Sequence, residues 1–377
     1  MKNFTVEVGV MNGRFSLAAF SAAFLAISGG CGGGGGGGIG STVVSSTGGT
    51  TGSSTGTTTA GSTGSTTSST TGTTTSSTTG STTGSPGVPA LGADASLNGK
   101  QAFPADNPWN TPIDTMPLDP NSDAIITSIG KTTHLHPDFG SNPNYGIPYI
   151  VVGGTQAKVA MNWTAYGDES DPGPYPIPPS APIEGGSTAG GDRHVIVIDR
   201  DHWKLYETDN SFLQSNGSWN ADCGATWDLS SNALRPAGWT SADAAGLPIF
   251  PGLIRFDEIK AGVITHAIRF TVVHSRRGYV NPARHYASSL TGTQYPPMGC
   301  RVRLKASFPI SGFGPQATII LRAMKKYGMI VADNGSNWYF QGAPSKAGDW
   351  NDDDLGGLKN ITGDNFEVVQ MGTVTTN

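Results

Sequence analysis

The sequence predicts a mainly β protein: a single sandwich-like or jelly-roll-like domain with one or two short helices, preceded by a disordered tether. Three observations predict this class. Helical periodicity is scarce, short apolar stretches are separated by Gly, Pro, Asn and Asp, and a tract near the start holds almost only Gly, Ser and Thr. That tract has too little apolar surface to offset the entropy lost on ordering it.

The first 30 residues have the pattern of a signal peptide. Arg14 precedes the apolar run SLAAFSAAFLAIS, which is too short to span a membrane comfortably. Small residues directly before Cys31 indicate a lipoprotein signal, although Ser28 replaces the usual aliphatic residue. We therefore predict export, with a lipid on Cys31 anchoring the protein at the cell surface or in the periplasm. Ordinary cleavage, giving a secreted protein, is the alternative.

Domain boundaries follow from the shift in composition. We assign residues 1–30 to the signal peptide, 31–87 to the Gly/Ser/Thr-rich linker and 88–377 to the β-rich domain. A formal net charge of −5 over 377 residues argues against a nucleic-acid partner, which favours a basic surface. We expect a monomer that contacts a membrane only through the lipid on Cys31.

Strands are predicted by short β-branched and aromatic stretches bounded by turn residues. HVIVID (194–199) and WKLYET (203–208) predict a hairpin. The other predicted strands are IPYIVVG (147–153), AKVAMNWTAYG (157–167), VITHAIRFTVV (263–273), CRVRLKASF (300–308), GMIVADNG (328–335) and NFEVVQMG (365–372).

Two segments predict helices. PQATIILRAMKKYG (315–328) begins with Pro315, which suits a first turn, and ends at Gly328. FDEIKAG (256–262) predicts a shorter helix.

The stretches GWTSADAAGLPIFPG, RLKASFPIS and YGMIVADNGSNWY resemble a set of uncharacterised secreted bacterial proteins. The resemblance covers most of residues 100 to 370 and implies an exported domain. It implies no catalytic residues, so the residues themselves must support any function.

Three strands carry a polar side chain on an apolar face. His194, preceded by Asp192, is in phase with the isoleucines of its strand, and His266 and Asp333 are placed similarly in theirs. A buried polar group must be hydrogen-bonded or line a pocket. We therefore expect Asp192, His194, His266 and Asp333 to meet in one catalytic site.

THLHPDFG (133–140) places His134, His136 and Asp138 on alternate positions, so an extended backbone would put them on one face. We interpret them as a substrate-binding wall. Two histidines with a third histidine and a carboxylate could hold a divalent metal, but Pro137 disturbs the strand. We predict no cofactor and keep the metal as the alternative.

Carboxylates that suit carbohydrate chemistry occur in YGDESDPGPYP. Asp168 and Glu169 lie there among turn formers and aromatic residues. Glycoside hydrolysis needs one protonated and one ionised carboxyl group. This loop could supply one of them, with Asp192 or Asp333 as the other; a solvated acidic turn is the simpler interpretation.

Positive and aromatic side chains concentrate in SRRGYVNPARHY (275–286). Arginine pairs with carboxylate or sulfate, and aromatic rings stack on sugars. The side chains predicted to bind substrate besides the THLHPDFG residues are Arg269, Arg284, His285, Tyr286 and Trp338. A basic surface turn is the simpler alternative.

Cys223 and Cys300 are the cysteines of the β-rich domain. In an exported protein they could form a disulfide, and two buried thiols are the alternative.

These features together predict a surface-tethered enzyme acting on extracellular polysaccharide, as a glycoside hydrolase using Asp, Glu and His in a β-sandwich cleft. A lyase acting on acidic glycan and a non-catalytic glycan-binding or adhesion module remain the alternatives.

Overall fold

The structure is a computed structural model that describes residues 87–376. The signal peptide, Cys31 and nearly all of the linker lie outside the described residues, so the predictions for them stay predictions. No helix in the described part of the chain is long and apolar enough to cross a membrane.

The described residues form a mainly β fold, which confirms the predicted class. The strands are β1 (Gly92–Ala93), β2 (His136–Asp138), β3 (Tyr149–Val152), β4 (Met161–Trp163), β5 (Val195–Asp199), β6 (Lys204–Asp209), β7 (Phe212–Leu213), β8 (Trp219–Ala221), β9 (Cys223–Asp228), β10 (Ile268–Val272), β11 (Arg301–Leu304), β12 (Met329–Asn334), β13 (Tyr339–Gln341) and β14 (Phe366–Val368).

These strands build three sheets. Sheet 1 has the order β1-β3-β5-β6-β9, sheet 2 the order β14-β11-β12-β10-β13-β2, and sheet 3 the order β4-β8-β7. The predicted hairpin is confirmed, because β5 pairs antiparallel with β6. Several neighbours are parallel instead: β3 with β5, β10 with β12, β13 with β2 and β4 with β8. The sheets are therefore mixed.

Four short α-helices complete the described fold: α1 (Ser122–Ile129), α2 (Phe256–Ala261), α3 (Pro315–Lys326) and α4 (Asp352–Gly357). The sequence predicted α2 and α3. Helix α3 begins at Pro315, as expected, and Gly328 follows it with φ +70. Helix α4 had a detectable start signal, because the Asn351 side chain caps it and three aspartates fill its first turn.

Sheet 1 is covered on both faces, which explains why every residue of β5 is buried. Ile196 and Ile198 face the main core, which also contains Phe270 of sheet 2. Val195 and Val197 face a second core on the other side. Alternation along this strand therefore determines which of the two cores each side chain points toward. His194, one residue before β5 and in phase with Ile196, enters the space toward sheet 2.

Candidate functional site

Strands β2, β13 and β10 of sheet 2 present a polar face. His136 pairs with Tyr339 and Asp138 with Gln341, while Phe340 pairs with Phe270. Because side chains alternate, the residues on the face opposite these phenylalanines are His136, Asp138, Arg269, Thr271, Tyr339 and Gln341. The His136 and Tyr339 rings stack with centroids 4.0 Å apart, which fits this arrangement.

A β-bulge adds Asp333 to the same face. The parallel pairing of β10 with β12 advances from Phe270↔Val331 to Thr271↔Asp333, so Ala332 is the extra residue. Asp333 therefore lies on the face of Thr271, and the prediction that it stays in phase with Val331 is wrong. Bulges commonly re-aim side chains next to active sites.

Three consecutive loop residues, Ala242, Asp243 and Ala244, contact the predicted site residues. The ring Nε2 of His194 donates to the Ala242 carbonyl at 2.9 Å. The carboxylate of Asp243 pairs with the Arg269 guanidinium, at 2.8 Å from Nη2 and 3.3 Å from Nε. The backbone N–H of Ala244 points to Asp333 Oδ2 at 3.4 Å. The predicted residues His194, Arg269 and Asp333 thus meet around this loop.

His194 is held as a cation. Its Nδ1 lies 2.6 Å from Glu184 Oε2, and its Nε2 donates to Ala242, so both ring nitrogens face acceptors and both carry a proton. Burial alone would lower the pKa of His194, but the Glu184 charge outweighs it and raises the pKa to about 10. Burial alone would raise the pKa of Glu184. The charge and the hydrogen bonds of His194 more than offset burial, so the pKa of Glu184 lies below its usual value. At neutral pH His194 is a fixed positive charge and not a general base.

The surroundings of Asp333 favour its neutral, protonated form. Burial raises its pKa well above the usual value, and the adjacent Asp243 carboxyl raises it further. Asp243 is fully enclosed and pairs with Arg269 in a buried ion pair. Asp333, taken as a whole residue, is only half-buried.

Two further carboxyl groups border this arrangement. Burial raises the pKa of Asp138 and Glu184 raises it further, while Arg269 opposes both. Asp192 is exposed, and its side chain makes no hydrogen bond within the described residues. Its charge helps to raise the pKa values of His194 and Asp333. We call the following set the acidic site: Asp138, Glu184, Asp192, Asp243 and Asp333 with the cations His194 and Arg269.

The predicted binding segment 284–286 lies beside the acidic site. His285 Nδ1 donates to the Ala244 carbonyl at 2.8 Å, and its ring stacks against Tyr286 with centroids 6.0 Å apart. Nε2 of His285 has no hydrogen-bond partner within residues 87–376. Arg284 turns elsewhere, and its Nε donates to the Arg235 carbonyl at 2.8 Å. Only His285 and Tyr286 of this segment are therefore placed to contact a ligand at the site.

His266 does not join the acidic site, contrary to the sequence prediction. Its Nε2 lies 3.0 Å from Glu258 Oε1 of α2, and its Nδ1 donates to the Ala267 carbonyl. It precedes β10, whereas Asp333 pairs with Thr271 near the other end of that strand. Five residues of strand amount to about 16 Å. His266 therefore has a structural role in docking α2.

The predicted carboxylate loop YGDESDPGPYP also has a structural role. Glu169 Oε2 accepts the Thr240 N–H at 2.8 Å, and its backbone carbonyl accepts from Arg235 at 2.6 Å. Asp168 is exposed and makes no side-chain hydrogen bond in the described chain. The loop thus holds the buried Arg235 in place, and neither predicted carboxylate reaches the acidic site.

Trp338 lies in the core, whereas His134 lies on the surface. Trp338 is fully buried, stacks against Phe270 and donates from Nε1 to the Gly130 carbonyl. It is therefore a core residue and not a sugar platform. His134 is exposed, and its Nδ1 donates to the Lys359 carbonyl at 2.7 Å.

The two cysteines are free, buried thiols, so the disulfide prediction is wrong and its alternative is right. Cys223 belongs to β9 of sheet 1, whereas Cys300 directly precedes β11 of sheet 2. Their strands belong to different sheets, which spacing in the sequence could not show.

Sequence reasoning missed four residues that the structure places at the site. Glu184 and Asp243 lie in loops, where no periodic pattern marks a buried side chain. Tyr339 and Gln341 lie on a three-residue strand, too short for a reliable alternation. Gln341 is 6% exposed, and its Oε1 has no hydrogen-bond partner within the described residues.

Among residues 87–376, no group of three or more His, Cys, Asp or Glu side chains is arranged to hold a metal ion. Comparison of the chain with protein-family models, curated proteins and solved structures found no match in any of the three.

Proposed function

We propose that this protein is an exported hydrolase that cleaves glycosidic bonds in extracellular polysaccharide. The observation that carries the proposal is the pair of carboxyl groups at the acidic site with opposite environments. Burial and Asp243 both favour the protonated form of Asp333, while Asp192 is exposed to solvent. Glycosidase chemistry needs one carboxylic acid and one carboxylate around the scissile bond.

In this mechanism Asp333 is the general acid. It would donate its proton to the glycosidic oxygen of the leaving sugar as that bond breaks. Asp192, whose charge acts on Asp333, would accept a proton from the attacking water. His194 and Arg269 hold the surrounding negative charges in place, as positioning residues, and neither has to transfer a proton.

Asp138 has a different task. Three strand spacings separate its strand β2 from β12, which amounts to about 14 Å. Catalytic carboxyl pairs of glycosidases lie roughly 5 to 9.5 Å apart. Asp138 and the unpaired Gln341 amide are therefore assigned to substrate positioning, with His136, Tyr339, His285 and Tyr286.

The proposal is tested by incubating the purified protein with a panel of polysaccharides and recording product masses. Hydrolysis adds one water per bond cleaved. Asp333→Asn should lower kcat by a factor of about 10² to 10⁴, because it removes the general acid. Asp168→Asn is the matched control, since that exposed aspartate is outside the site, and His266→Gln controls for a buried histidine elsewhere.

Three outcomes would contradict the proposal. Products that are one water lighter would identify a lyase. Tight glycan binding without any turnover would identify a binding module. Equal loss of activity in Asp333→Asn and Asp168→Asn would show that the acidic site is not the catalytic centre.

A further inference from the structure

A cavity of about 620 Å³ lies on the second-core side of sheet 1. Ala181 and Trp219 of the second core line it, and no residue of the acidic site does. Phe212 and Leu213 also belong to its wall and are 43% and 42% exposed, so the cavity opens to solvent. Its volume is within the range of small-molecule sites, roughly 300 to 1,000 Å³. The cavity is therefore a candidate ligand site separate from the acidic site.

Arg193 is the cation that lines this cavity, and it is only 5% exposed. Its Nε donates to the Ser211 carbonyl at 3.1 Å, and its Nη1 donates to the carbonyls of Ser187 and Ala189 at 3.1 and 2.7 Å. The guanidinium carbon lies 4.3 Å from the centre of the Phe212 ring. The remaining nitrogen, Nη2, has no hydrogen-bond partner within the described residues and is not enclosed. This nitrogen is therefore left for a ligand.

Arg193 lacks the counter-ion that comparable arginines have. Four arginines in the described chain are at most 5% exposed. Three of them pair with a carboxylate: Arg235 with Asp171, Arg255 with Glu258 and Arg269 with Asp243. The side chain of Arg193 bonds only to backbone carbonyls in this part of the chain, and Asp94, the acidic residue of the cavity wall, is not its partner. A buried charge is costly unless an opposite charge accompanies it, so an anion in the cavity would supply the missing partner.

The backbone at Arg193 is also unusual. Arg193 and Asp94, which both line the cavity, have φ angles of +48 and +46. Few residues other than glycine adopt positive φ. Such conformations persist where the surrounding structure fixes them, and they cluster at ligand sites. The three hydrogen bonds and the Phe212 ring therefore hold the Arg193 guanidinium in position before a ligand arrives.

The rest of the wall indicates the class of anion. Most of the lining is apolar, namely five prolines with Ala181, Ile183, Phe212, Leu213 and Trp219. A single free guanidinium nitrogen suits a carboxylate, whereas a phosphate would leave several charged oxygens without donors. Asp94 would also repel a doubly charged ligand more strongly than a singly charged one. The cavity therefore suits one carboxylate attached to an apolar body.

We infer that the cavity binds a small organic monocarboxylate with an aromatic or aliphatic body. The carboxylate accepts a hydrogen bond from Arg193 Nη2, and the apolar body packs against Phe212, Leu213 and the prolines. This inference goes beyond the proposed function and does not depend on it, because the cavity and the acidic site share no residue.

The test measures binding to the full-length protein by calorimetry at about pH 8, where carboxylic acids are ionised. The probes are benzoate, phenylacetate, hexanoate and octanoate, with the corresponding amides as neutral comparisons of the same shape and inorganic phosphate as the other anion. At least one carboxylate should bind, and at least tenfold more tightly than its amide, because the hydrogen bond from Arg193 becomes charge-assisted on both sides.

Two variants locate the binding site. Arg193→Gln removes the charge and should weaken binding of that carboxylate at least tenfold, while the affinity for the amide changes less than twofold. Leu213→Glu places a negative charge on the exposed wall without removing a buried group, and should weaken carboxylate binding about fivefold. Leu118→Glu is the matched control, because Leu118 is 49% exposed and lies outside the cavity. Circular dichroism checks that Arg193→Gln folds, and Leu213→Glu decides the matter if it does not.

Four results would overturn the inference: no binding of any of the carboxylates at millimolar concentration, equal affinity for a carboxylate and its amide, tighter binding of phosphate, or unchanged carboxylate affinity in Leu213→Glu. None of these results bears on the activity loss expected of Asp333→Asn. Failure of this inference is therefore distinguishable from failure of the proposed function.

Discussion

The ion pair between Arg269 and Asp243 should be essential for stability. Arg269 is 3% exposed, and the side chain of Asp243 is completely enclosed. Burial alone would lower the pKa of Arg269, but the Asp243 charge reverses this and raises it. Replacing Arg269 by Met keeps most of the side-chain volume and leaves Asp243 as a buried charge without its partner.

The expected cost is about 3–5 kcal/mol in the free energy of unfolding, the usual range for breaking a buried pair from one side. At roughly 2–4 °C per kcal/mol for a domain of this size, the unfolding temperature should fall by about 10 °C. The exposed pair of Lys131 and Asp123 provides the control. Lys131→Met should cost less than about 1 kcal/mol, because solvent screens that pair.

Urea unfolding followed by circular dichroism measures both effects. If the slope of the unfolding free energy against urea concentration is unchanged, the substitution altered stability alone. The double variant Arg269→Met/Asp243→Asn removes the stranded charge. It should regain most of the loss, giving a coupling of roughly 3 kcal/mol. A loss below about 1 kcal/mol for Arg269→Met, or a double variant no more stable than the single one, would refute this reasoning.

Two more predictions follow from buried groups. Burial raises the pKa of Glu207 to about 7. The carboxyl group accepts hydrogen bonds from the backbone N–H groups of Ile249 and Phe250, which lower the pKa but do not offset burial. The folded state therefore keeps a proton that the unfolded state loses, so stability should fall by about 3 kcal/mol as pH rises from about 4.5 to 7. Glu207→Gln should reduce the difference between the urea midpoints at pH 5 and 8 by this contribution, leaving that of Asp94 and Asp209, whose pKa values burial also raises to about 7; an unchanged pH dependence would contradict the assignment. Burial raises the pKa of Cys223 to about 12 and that of Cys300 further. In a Cys31→Ser protein, a thiol reagent at pH 8 should label neither cysteine until denaturant is added, and a midpoint lowered by reductant would instead indicate a disulfide.

Local patterns were sufficient wherever a side chain's surroundings depend on its own strand. The alternation in HVIVID placed His194 toward sheet 2, because Ile196 and Ile198 face the main core. The same reasoning misplaced Asp333, because one extra residue at Ala332 shifts its phase. It also misplaced His266, because phase says nothing about which end of a strand a residue occupies.

The sequence by itself determined the mainly β class, helices α2 and α3, the main strands and the inward direction of His194. These depend on periodicity and turn chemistry, which act over a few residues. Only the tertiary structure decided that Asp243 pairs with Arg269, that Glu184 keeps His194 charged and that the surroundings of Asp333 favour its protonated form. Those properties arise from burial and from charges brought together from loops distant in the chain, and no local pattern encodes either.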